Sequence, residues 1–124
     1  MKLITTFKQA CKKKGIDPIK AIPDVSMFPE EHQKALIATA KLIIINEVLN
    51  MNDKGESWKP NWNNYDEYKY YPWFYLNTPG FRFLDSGYAD AGSYVGSRLC
   101  YRTRALAKHA AEKFGDLYKD LMVL

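Results

Sequence analysis

Two cysteines, two histidines and a few neighbouring acids are the side chains of this 124-residue sequence within reach of covalent or acid–base chemistry. Cys100 and His109 form the one conceivable nucleophile–base pair, because a strand carrying the thiol would feed directly into a helix carrying the imidazole. A working thiolate needs that imidazole within hydrogen-bond reach. Alternation on a strand puts Cys100 beside Arg98 and Arg102, but nothing in the pattern brings His109 to it. Neither His32 nor His109 has a Cys or His at metal-ligand spacing, so no metal is expected. Asp66 and Glu67 are adjacent, which on a strand or turn points them apart and spoils paired-carboxylate work. Asp85 and Asp90 border a glycine-rich loop with no third ligand. No phosphate-binding glycine loop, dinucleotide fingerprint or nucleophile elbow occurs, and no cofactor is expected. Catalysis is therefore the weaker class, in the form of an enzyme using Cys100 or the histidines, His109 above all.

Recognition chemistry is richer. Residues 58–83, WKPNWNNYDEYKYYPWFYLNTPGFRF, hold all three tryptophans and 11 of the 18 aromatic side chains. On a strand, Tyr68, Tyr70 and Phe74 share one side, and Lys69, Tyr71, Trp73 and Tyr75 share the other. Only one side can face helices. The row Tyr71, Trp73 and Tyr75 is then either roofed by Trp58 and Trp62 or presented to a partner. If Phe81 and Phe83 face the core, Arg82, Arg98 and Arg102 join that row on the open face. Such a face suits a protein partner, including a second copy of the chain. It also suits single-stranded nucleic acid, whose bases stack on rings for about 1–3 kcal/mol each while arginines follow the backbone. The same rings also serve a core, since each Phe, Tyr or Trp buries about 150–250 Å². The candidate binding residues are Tyr71, Trp73, Tyr75, Trp58, Trp62, Arg82, Arg98 and Arg102.

The elements that must position these residues follow from periodicity and punctuation. In residues 1–28, Thr6 and Gln9 form a capping box, Gly15 ends a short helix, and Pro18 and Pro23, with Pro29 just beyond, make an ordered connector anchored by Ile16, Ile22, Val25 and Phe28. Residues 29–50 read as a central helix, opened by Pro29 and apolar far round its circumference. Asn46 and Glu47, near its end, read as rim residues. Residues 58–102 read as an aromatic-rich sheet. Its first strand, Tyr68 to Leu76, contains Pro72 and belongs at an edge. Asn77 to Gly80 forms a turn and Phe81 to Asp85 a second strand. After the loop SGYADAGS comes a third strand, Tyr94 to Arg102. Residues 103–122 form a C-terminal amphipathic helix capped by Thr103, with Leu106, Ala107, Ala110, Phe114, Leu117, Tyr118 and Leu121 on its apolar face. The expected fold is a single α+β domain, residues 1–124: helix, helix, three-stranded antiparallel meander, helix, with the helices packed on one sheet face.

Net charge is +4 and uneven, since residues 1–20 carry six lysines against one aspartate. A basic end attracts anionic partners, and it is equally the solvated face of a short helix. The longest apolar run, Leu42 to Ile45, is far too short for a membrane span, and no signal-peptide pattern opens the chain. The expectation is a protein that is not secreted and has no membrane partner. Its cysteines should be buried free thiols.

The segments WKPNWNN, EYKYYPWF, GFRF, VGSRLCYRTR and LAKHAAEKFGDLYKD, with the PDVS-x-x-P-E-E connector, resemble a family of small proteins from phages and prophages of gut Bacteroidales. The resemblance spans nearly the whole chain and departs at the MNDKGE loop, which is longer here. The family carries no established activity. The resemblance implies a phage-encoded protein acting in the bacterial host cytoplasm or within a virion.

Overall fold

α1 (Phe7–Lys14) is bounded by the caps its sequence encodes. The Gln9 N–H donates to Thr6 Oγ1 at 3.2 Å, and the Thr6 N–H donates back to Gln9 Oε1 at 3.2 Å. Gly15 takes the left-handed conformation (φ 67°), and the Ile16 N–H closes the end onto the Cys11 carbonyl at 2.9 Å. In the connector Val25 is buried, whereas Phe28, expected as an anchor, is exposed. α2 (Glu30–Leu49) starts immediately after Pro29, with Glu30 and Glu31 in the first turn, where the helix dipole favours acids. α3 (Arg104–Met122) is capped by Thr103, whose Oγ1 accepts from the Leu106 N–H at 3.1 Å, and it kinks at Phe114.

The computed structural model describes residues 2–77 and 80–124. Among them are three helices and a two-stranded antiparallel sheet of β1 (Lys69–Tyr75) and β2 (Arg82–Ala89), an α+β architecture. The turn expected at Asn77–Gly80 includes Thr78 and Pro79, which lie outside the described residues.

The third strand expected at Tyr94–Arg102 does not form. One bridge survives, in which Tyr70 and Tyr101 exchange backbone hydrogen bonds of 2.9 and 2.6 Å. The reason lies in β1. Backbone groups alternate in direction along a strand, so the next donor aimed at that edge would come from Pro72, which has none. Gly96, in the left-handed region at φ 72°, also breaks the extended run ahead of Tyr101. β2, by contrast, is longer than expected. Ser86–Ala89 belong to it because they pair with Lys69–Pro72, and cross-strand pairing overrides the loop-like composition of SGYA.

The layers are stacked rather than gathered on the sheet. α1 packs on α2, α2 on α3, and α3 alone covers the hairpin. This corrects the expectation that all the helices lie on one sheet face. The core cluster takes Leu42, Ile45, Val48 and Leu49 from α2, and Leu106, Ala107, Ala110, Phe114 and Tyr118 from α3. Phe74 enters from β1, and its ring lies 5.1 Å from that of Tyr118. Phe81 and Phe83 close on Phe74 at 4.5 and 6.0 Å, so this row is the covered face of the hairpin.

Candidate functional site: the uncovered face of the hairpin

With Phe74 and Phe83 paired on the covered face, the register fixes the other one. Tyr71 lies opposite Gly87, Trp73 opposite Asp85, and Tyr75 opposite Arg82. A one-residue shift between Trp73 and Phe74 decides which β2 side chains join this face. Strict alternation would put Arg82 and Asp85, three apart, on opposite sides of β2. The bulge brings both to the uncovered face. Arg82 lies over the Tyr75 ring, its Cζ 4.2 Å from the centroid, and donates from Nη1 to the Gly80 carbonyl at 2.8 Å. The Asp85 carboxylate accepts from the Ser86 N–H at 2.8 Å. Trp73 is 49% exposed and Tyr75 38%. Tyr71 is half-buried, its ring laid over Gly87 so closely that a Cβ there would sit 2.9 Å from Tyr71 Cζ.

The other end of the same face is closed. Lys69 pairs with Ala89 on it and is wholly buried. Its ammonium donates to the carbonyls of Asn64 at 2.9 Å and Asp90 at 2.7 Å, lies 3.6 Å from Glu67, and sits 5.2 Å from the centre of a Trp62 ring. Burying an ammonium is tolerable only with this density of acceptors. Trp62 is held in turn by its Nε1, which donates to Ser97 Oγ at 2.8 Å. Glu67 fastens the loop by accepting from the Asn61 N–H at 2.7 Å and from Trp58 Nε1 at 3.4 Å. Trp62 thus roofs Lys69, while the row Tyr71, Trp73 and Tyr75 stays open. Trp58 faces elsewhere, into a groove of about 450 Å³ that it lines with Ile43, Lys59 and Arg98.

The three arginines are not gathered. Arg82 is on the open face, Arg98 lines the Trp58 groove, and Arg102 lines a separate cleft of about 200 Å³ with Lys13 and Asp53. Their expected alignment required a third strand. A second aromatic group, unanticipated because Tyr88 read as loop, stacks Tyr88 on Tyr68 at 4.5 Å, with Arg104 over the neighbouring Tyr70 ring at 5.2 Å.

The covalent candidates are engaged elsewhere. His109 Nε2 hydrogen-bonds the Ile4 carbonyl at 2.7 Å, and Cys100 donates its thiol to the Ser97 carbonyl at 3.7 Å. Burial pushes the Cys100 thiol up to about 11, away from a nucleophilic thiolate. Among the described residues no group of three or more His, Cys, Asp or Glu side chains could hold a metal ion, and no helix is long and apolar enough to cross a membrane.

Asn46, expected at a rim, is buried. With Asn50, one turn on, it pins the chain leading into α3. Asn46 Nδ2 donates to the Cys100 carbonyl at 2.7 Å, Asn50 Nδ2 to the same oxygen at 3.0 Å, and the Arg102 N–H donates to Asn50 Oδ1 at 3.0 Å. Two amides at i, i+4 on an otherwise apolar helix were the available signal. The chain matches no protein-family model, no curated protein and no solved structure.

Proposed function

We propose that this is a phage-derived, non-catalytic binding protein that engages a protein partner through the open half of its hairpin face. The partner is either a host factor, as in an anti-defence role, or another component of a particle. The phage setting rests on the sequence resemblance. The binding mode rests on one observation: Trp73 is half exposed at mid-strand, while the loop carrying the other two tryptophans closes only the Lys69 end. Aromatic side chains and arginine carry most of the energy of protein interfaces, usually at the centre of a patch with a polar rim. Trp73, Tyr75 and Arg82 beside Asp85 fit that pattern.

Single-stranded nucleic acid is the second reading, favoured by the Arg82–Tyr75 stack and opposed by the carboxylate of Asp85 beside Trp73. A pull-down from host lysate with Trp73→Ala as the paired control tests the first reading. Loss of a specific partner with the variant supports it, and equal retention overturns it. Retention on single-stranded DNA at about 50 mM salt, where phosphate contacts are strong, would replace it with the second.

A further inference from the structure

We infer that the open face is self-complementary and pairs with a second copy of this chain, an inference that rests on reading that face as a protein-binding surface. Four side chains form two rows across the hairpin: Trp73 beside Asp85, and Tyr75 beside Arg82. The rows are two residues apart on β1, roughly 7 Å along the strand. An isologous interface requires one patch to carry both halves of every contact. Let a second copy lie face to face with the first, turned by half a rotation about an axis between the sheets, perpendicular to the strands and midway between the rows. Each row then meets the other row of the second copy. Asp85 faces Arg82 of the second copy and Trp73 faces its Tyr75–Arg82 stack, and the symmetry makes each contact twice.

The surroundings agree with this operator. Arg82 spends one donor on the Gly80 carbonyl and rests over the Tyr75 ring, which leaves further N–H groups for a carboxylate. Neither Arg82 nor Asp85 takes part in an ion pair within the chain among the described residues. The built-up Lys69 end, with Trp62 above it, lies on the far side of Trp73 from this axis. The half-exposed rings and the two charged side chains bury roughly 400 Å² per copy, about half of a standard interface. A contact of that size makes a weak, transient dimer.

Sedimentation equilibrium of the full chain from about 5 µM to 1 mM at low salt, where charge contacts are least screened, reads this directly. Arg82→Asp sets Asp against Asp and Asp85→Arg sets Arg against Arg. Each should raise the dimer Kd at least about tenfold, and the double variant should restore it to near the parent value. Far-UV circular dichroism checks that each variant keeps the parent fold. A parent chain that stays monomeric to about 1 mM overturns the inference, as does a dimer indifferent to the single reversals or one not rescued by the double variant. Those results leave the lysate experiment with Trp73→Ala standing as a separate test of the open face toward a foreign partner.

Discussion

Asn50 saturates its side chain: Nδ2 is shared between the Cys100 carbonyl and Asn46 Oδ1, and Oδ1 accepts from the Arg102 N–H. Asn50→Ala would strand the Arg102 N–H and weaken the hold on Cys100. Leaving a buried polar group unpaired costs about 1–3 kcal/mol. The expected outcome is an unfolding free energy lowered by that amount, read as a lower urea midpoint at unchanged m-value, since the surface exposed on unfolding stays the same. Asn50→Asp should recover little, because a carboxylate can accept from Arg102 but has nothing to donate to Cys100. Lys69 follows the same logic with a charge, its ammonium joining Asn64 and Asp90 across the end of the sheet.

The hairpin shows where local signals suffice and where they do not. The α1 and α3 caps were legible because Thr6 with Gln9, Gly15 and Thr103 act on groups a few residues away. The sidedness of Tyr71, Trp73 and Tyr75 was legible because it needs only alternation. The loss of the third strand was not, since it depends on which way Pro72 would have aimed its missing donor. The gathering of Arg82 with Asp85 was hidden as well, because a bulge is a property of two strands together. Gly87 is the same kind of residue, read as loop although it is the strand position over which the Tyr71 ring lies. Gly87→Ala meets only the far end of that side chain and has no positive φ to strain. It should cost about 1 kcal/mol, the low end for overpacking, read in a thermal melt. It should also swing Tyr71 away from Trp73, now 6.0 Å off, and shift the tryptophan fluorescence. An unchanged emission spectrum would mean that the ring stays where it is.

At the scale of the whole molecule, the core joins α2, α3 and one strand through buried hydroxyls as well as apolar surface. The hydroxyls of Tyr101 and Tyr118 share a hydrogen bond of 2.8 Å. Burial pushes the Tyr101 phenol up to about 12 and the Tyr118 phenol well above its ordinary value of 10.0. Burial also raises Cys100. In each case the folded state holds its proton past the pH at which the unfolded chain releases it. Their contribution to stability is therefore complete below about pH 9 and lost as pH rises through about 11 to 12. Urea unfolding at rising alkaline pH should show a steep fall across that window. In Tyr118→Phe, which removes one of the coupled phenols, the fall should be shallower. A slope identical to that of the parent would assign the alkaline loss to other groups.

The clasp between Asn50 and Cys100 also has a bearing on the hairpin. It joins positions 50 residues apart, and the whole hairpin lies inside the ring it closes. Bringing those ends together costs roughly 3–4 kcal/mol of chain entropy before any contact between α2 and α3 repays it. A two-stranded hairpin is only marginally stable by itself, so the clasp at its base and α3 against its covered face are what hold the surface that carries Trp73 in place.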